Sequence, residues 1–161
     1  MITPMERGVV RVVHDDLIPW IGRGAFDVVF HGCNSFHRMG AGFAKALHAA
    51  YPMVMEADLR TGYGDRTKLG TFSSVTVPVS GGEVTLVNAY TQYFYGSRRE
   101  GHADITALRS CLRGIVAEYG RSGRCFASPM IGAGHGGLDP DEVLQVMRDE
   151  FHGESLTVFT W

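Results

Sequence analysis

The sequence predicts a three-layer α/β/α sandwich around a mixed, mostly parallel sheet. Three observations predict it. Runs of strand length alternate with helical stretches along the chain, the order of an α/β fold. The run from Phe26 to Cys33 is apolar on both faces, as a strand covered by helices on both sides must be. Two glycine-rich loops each follow a strand and lead into a helix, which puts both at the carboxyl ends of strands, where such folds bind ligands.

The bulk properties set bounds. A chain of 161 residues fits one domain, residues 1–161, and buries enough surface to need no staples. The formal net charge of −2 leaves no electrostatic footprint for general nucleic-acid binding. Cys33, Cys111 and Cys125 are odd in number and widely spaced, so they form neither a disulfide framework nor a zinc pattern, and a reducing compartment fits best. Met1 to Arg11 lacks the apolar core of a signal peptide, and no run reaches the length of a membrane span. The expectation is a cytoplasmic protein that needs no membrane, no metal and no cofactor.

The elements follow in order. Val9 to Val13 is a β-branched strand. Leu17 to Ile21 is apolar but broken by Pro19, a turn or short helix packed on the sheet. After the strand Phe26–Cys33, a helix from about Ala41 to Tyr51 places Phe43, Ala44, Leu47 and Tyr51 on one face. Pro52 opens a second helix, Met53 to Arg60. Asp65, Arg66 and Lys68 read as a solvated surface. Thr71–Val79 and Val84–Tyr90, joined by Ser80-Gly81-Gly82, have the spacing of a hairpin. The helix from His102 to Tyr119 repeats Ile105, Leu108, Leu112, Ile115, Val116 and Tyr119 at helical spacing. Arg124–Ser128 is a strand, Asp139 caps a helix with Pro140 at its first position, and Ser155–Trp161 is the last strand.

Chemistry concentrates in the two loops. His31-Gly32-Cys33-Asn34 ends the buried strand, and Met39-Gly40-Ala41-Gly42 opens a helix. A helix start offers unpaired N–H groups and the positive end of the dipole, so this is a phosphate-binding crevice with His31 and Asn34 on its rim, or an ordinary junction with glycines serving the turn. Gly132-Ala133-Gly134-His135-Gly136-Gly137 satisfies G-x-G-x-x-G, but one strand follows its helix and no acidic residue stands at ribose distance, which argues against a dinucleotide fold. Phosphate cradling by backbone N–H groups needs neither.

Asn34 with Met39-Gly40-Ala41-Gly42, followed by Gly132 to Gly137 and Leu138-Asp139, resembles the two ligand loops of the macrodomain family, which binds ADP-ribose. The resemblance covers essentially the whole chain. Its finer features are similar to the branch of ADP-ribose-1″-phosphate phosphatases and terminal ADP-ribose hydrolases. It implies that Asp16, followed by Leu17, reads the adenine amino group, and that Asn34 bonds the distal ribose. Met39, Gly40, Ala41 and Gly42 would lie beside the distal ribose and diphosphate. Gly132, Ala133, Gly134, His135, Gly136 and Gly137 would hold the diphosphate, and Phe159 would flank adenine. It also implies His31 and Asp139 as the catalytic pair of a phosphatase, an imidazole near neutral pH and a carboxylate that orients water or attacks.

From the residues alone, His31 is a hydrogen-bonded core histidine, Asp139 a helix cap, Asp16 a turn carboxylate, Asn34 a cap of its own loop and Phe159 a core ring. One departure stands out. Hydrolases of the family that form a covalent lysine adduct carry that lysine in the segment matching Asn88 to Tyr95, which here has none. The expected activity is removal of the 1″-phosphate from ADP-ribose-1″-phosphate. The alternatives are a non-catalytic reader of free or macromolecule-linked ADP-ribose, or a hydrolase of ADP-ribosyl or O-acyl-ADP-ribose esters. The aromatic run Tyr93-Phe94-Tyr95, with Arg98 and Arg99 beyond it, either covers the distal end of a ligand or packs on the sheet.

Overall fold

The computed structural model describes residues 8–96, 102–121, 123–132 and 136–161. Among these residues six strands form one sheet: β1 (Val10–His14), β2 (Val28–Cys33), β3 (Phe72–Val79), β4 (Gly82–Tyr90), β5 (Cys125–Pro129) and β6 (Ser155–Thr160). Their spatial order is β1-β6-β5-β2-β4-β3. Only β3 runs antiparallel, paired to β4 from Phe72↔Ala89 to Val79↔Gly82, as the predicted hairpin. The other pairings are parallel, so β6, β5, β2 and β4 end side by side on one edge of the sheet.

Alternation along the strands sorts the core into two layers. Val28 and Phe30 of β2, Val87 and Ala89 of β4, and Leu156 and Val158 of β6 face α4 (Ile105–Tyr119) and α5 (Pro140–Glu150). Val29 and Cys33, Leu86 and Tyr90, and Phe159 face the other way. That face is covered by α1 (Leu17–Gly22), α2 (Gly42–Ala50) and α3 (Met53–Leu59). The stretch around Pro19 is thus a helix of six residues, capped by Asp16, whose carboxylate accepts from Ile18 N at 3.1 Å. Among the described residues no helix is long and apolar enough to cross a membrane.

Lys68 departs from expectation. It sits in a 3-10 turn, Arg66–Lys68, whose cap Asp65 accepts from Thr67 N. Asp65 and Arg66 are exposed, but Lys68 is 5% exposed, with Nζ 4.4 Å from the centroid of the Tyr90 ring. Its four-carbon stem packs inward while its ammonium rests on an aromatic face. Burial lowers its pKa, opposed chiefly by the charge of Asp58.

Candidate functional site

A cavity of about 640 Å³ opens across the carboxyl ends of β2, β4, β5 and β6, a size typical of small-molecule sites. The segment after β2 contributes Asn34, Arg38, Gly40, Ala41, Gly42 and Phe43. Gln92, Tyr95 and Gly96 come from the segment after β4, and Pro129 to Gly132 from the end of β5 and the loop beyond it. Trp161 closes the far side after β6. Three strand spacings separate β6 from β4, roughly 14 Å.

The α2 start is open. Its cap is Ala41, which provides no side-chain hydrogen bond, so the first N–H groups of the helix lack a protein partner of that kind. An added Cβ at Gly40 or Gly42 would meet nothing within 4 Å, which leaves the backbone approachable from the cavity. Gly32 differs, because a Cβ there would come within 2.9 Å of both Ile131 Cγ2 and Thr91 Oγ1. Ala103 N donates to Gly136 O at 2.8 Å and ties the β4 and β5 loops together, while each loop is closed on itself, by Asp104 N to Thr91 O at 2.7 Å and by Leu138 N to Gly132 O at 2.8 Å.

His31 lines the cavity but is 1% exposed. Asn88 fixes its state. The Asn88 amide donates to Val54 O at 3.0 Å and Ser73 Oγ at 3.1 Å, so its oxygen faces His31 and accepts from Nε2 at 2.7 Å. The proton therefore sits on Nε2. Burial pushes the His31 pKa down to about 4, although Asn88 and, more weakly, Asp58 raise it. His31 thus stands in the cavity wall as an imidazole whose Nε2 is committed to Asn88.

Asn34 also spends its side chain on its own loop. Oδ1 accepts from Phe36 N at 2.9 Å and Arg38 N at 3.3 Å, and Nδ2 donates to Arg38 O at 2.8 Å. Beneath this loop, His37 adopts a positive φ of 57°, and its Nδ1 lies 3.2 Å from Asp58 Oδ2. Asp58 Oδ1 accepts from the Tyr90 hydroxyl at 2.7 Å.

Other expected positions divide. Gly40, Ala41, Gly42, Gly132 and Gly136 line the cavity. Ala133, Gly134 and His135 lie outside the described residues, as do Arg98 and Arg99. Leu17 is fully buried and Met39 is 6% exposed, and both side chains pack in the core on the face covered by α1 to α3. Gly137 is not part of the lining, and a Cβ there would meet the His102 ring at 3.0 Å. Phe159 is fully buried, edge-on to Phe26 at 5.7 Å. Strand alternation returns the same face two residues later, and there Trp161 is exposed in the cavity, 6.0 Å from the Phe43 ring. Asp16 and Asp139 are exposed helix caps outside the lining; Asp139 accepts from Asp141 N at 2.9 Å.

The aromatic run both packs and lines. Phe36 stands edge-on to Tyr93 and Phe94 at 5.0 Å each, and Tyr93 donates to Gly64 O at 3.0 Å. Tyr95 remains at the cavity. Sequence reasoning missed Arg38, Gln92 and Trp161 as site residues, and it left Tyr95 open between covering a ligand and packing on the sheet. Only for Trp161 was there a local signal, its two-residue offset from Phe159.

The family model described as Macro domain matches residues 30–147, which span both glycine loops. The chain belongs to the macrodomain family. This macrodomain is 34% identical over 132 residues to the "uncharacterized 17.5 kDa protein in tk-vs intergenic region" of Enterobacteria phage T4, covering 80% of this chain and 81% of that protein. Its fold is similar to the macrodomain of Mycobacterium tuberculosis DarG, with a TM-score of 0.74 and 20% identity over 96% of this chain and 99% of that one. It is also similar to Thermosipho africanus DarTG in complex with ADP-ribose, with a TM-score of 0.73 and 18% identity over 93% of this chain and 41% of that one.

Proposed function

We propose that this macrodomain binds ADP-ribose across the strand ends and removes the 1″-phosphate from ADP-ribose-1″-phosphate. The observation that carries the reading is the uncapped start of α2 at the cavity, between glycines whose backbone a ligand reaches. Helix-start N–H groups bind anions without a metal, and the diphosphate of ADP-ribose is such an anion. Trp161, after β6, offers a ring for adenine, and the distal ribose then points toward the segment after β4. The fold shared with a DarTG structure that holds ADP-ribose supports the same ligand.

The reaction adds water across the phosphate ester. The water oxygen bonds to phosphorus, the C1″ oxygen leaves and takes up a proton, and the products are ADP-ribose and orthophosphate. Backbone N–H groups stabilise charge on the phosphoryl oxygens. Gln92 lines the cavity within the segment where the lysine-dependent hydrolases keep their lysine, so a covalent lysine adduct is not part of the scheme. Asp139 is the base, acting through Oδ2 while Oδ1 serves the α5 cap.

Incubation of purified protein with ADP-ribose-1″-phosphate and detection of orthophosphate tests the proposal. Steady release that Asp139→Asn abolishes supports it. The absence of turnover at high enzyme concentration sinks the phosphatase. A second reading, an ADP-ribose binder without turnover, is favoured by one observation: Asp139 stands outside the cavity lining with one oxygen committed to its helix. Release of ADP-ribose from modified carboxylates would instead identify an ester hydrolase.

A further inference from the structure

We infer that Arg38 and Tyr95 form a recognition pair that selects ligands carrying a phosphate at the distal end of the cavity. The inference rests on the ADP-ribose reading above and adds the groups that tell a phosphorylated ligand from an unphosphorylated one.

Arg38 carries the only charged side chain among the described residues that line the cavity. Its guanidinium makes no ion pair or hydrogen bond among those residues, whereas Arg109 and Arg113 are both engaged by Glu150. It is loose at its tip and fixed at its root. Asn34 grips the Arg38 backbone from both sides, accepting from its N–H and donating to its carbonyl. Arg38 Cζ stands 5.0 Å from the centroid of the Tyr95 ring. That ring is backed by Phe94, stacked at 4.4 Å and 17°, and by Phe36 edge-on at 6.1 Å. The aromatic plate restricts where the fork of N–H donors can point, and the Tyr95 hydroxyl adds a donor beside it.

Topology places the pair. Tyr95 follows β4 and Trp161 follows β6, with β2 and β5 between them, so Arg38 and Tyr95 stand at the end away from the Trp161 ring. Charge supports the match. A phosphate monoester adds roughly 1.5 to 2 negative charges at neutral pH, beyond those of the diphosphate. A helix N-terminus contributes about half a positive charge and faces the diphosphate, so a further phosphate calls for a cation of its own. A guanidinium meets phosphate oxygens with two parallel hydrogen bonds, which an ammonium does not match. In this arrangement Asn34 is a positioning residue that aims Arg38.

Wild type, Arg38→Ala, Arg38→Lys and Tyr95→Phe are titrated by calorimetry with ADP-ribose and with its hydrolysis-resistant 1″-phosphonate. Thermal unfolding of each variant checks that it is folded. The expected result is that Arg38→Ala weakens phosphonate binding at least tenfold more than ADP-ribose binding. Arg38→Lys recovers only part of that preference, and Tyr95→Phe reduces it more mildly. Equal losses for both ligands, or no loss for either, overturn the inference while leaving ADP-ribose binding intact. A wild-type protein that binds neither ligand overturns the underlying reading, and this inference with it.

Discussion

His31 donates its Nε2 proton to Asn88 Oδ1 across 2.7 Å, and burial holds the ring neutral down to about pH 4. The ordinary histidine pKa is 6.5, so the folded-state value is lowered. An unfolded chain takes up a proton as pH falls through 6.5, while the folded chain resists until about pH 4. The stabilisation is therefore fully present above pH 6.5 and is lost as pH falls through that window. It amounts to roughly 2 kcal/mol by pH 5 and about 3 kcal/mol at its limit. Urea unfolding of wild type and His31→Gln at pH 7.5 and pH 5 should show the larger decline in wild type. Equal declines would contradict the buried neutral ring.

Asp139 separates a structural role from a chemical one. Asp139→Ala should cost about 1 kcal/mol through loss of the α5 cap, whereas Asp139→Ser should keep most of that stability. Both variants lose the carboxylate. Phosphate release that fails in both, against stability that falls only in the first, is the expected pattern, read by thermal melts beside a phosphate assay.

Much of this architecture is legible in the sequence because its causes are local. Asp139-Pro140 announces the start of α5, and the unbroken run from Val28 to Cys33 announces a strand covered on both faces. The glycines that open α2 mark the cavity for the same reason. What the sequence hides is set by partners far along the chain. The role of His31 depends on Asn88, 57 residues away, and that of Arg38 on the ring of Tyr95. Asn34 turned inward because its own loop offered two donors and an acceptor. Lys68 was misread because its charge could rest on Tyr90, a contact invisible in a polar stretch.

Tyr90 anchors the layer below the cavity. Its hydroxyl donates to Asp58 and lies 2.8 Å from Ser73 Oγ, and burial pushes its pKa up. Tyr90→Phe leaves a buried carboxylate short of a donor and should cost about 1 to 3 kcal/mol. Chemical denaturation measures the loss, and a change within about 0.5 kcal/mol would show that the network carries little stability.

The glycines of the cavity should respond differently to a side chain. Gly132 has φ +74°, and a Cβ there would lie 2.7 Å from Leu138 Cδ1, so Gly132→Val should destabilise the fold by more than 1 kcal/mol. Gly40 has open space around it, so Gly40→Val should leave the melting temperature nearly unchanged and weaken ADP-ribose binding instead. Paired melts and titrations distinguish the two sites.

The most direct test of the central claim is calorimetric titration of the wild-type protein and Gly40→Val with ADP-ribose. The account predicts saturable one-to-one binding by the wild type and at least tenfold weaker binding by a variant that melts at the same temperature. No heat of binding in the wild type, or equal affinity in both proteins, would contradict an ADP-ribose site built on the open start of α2.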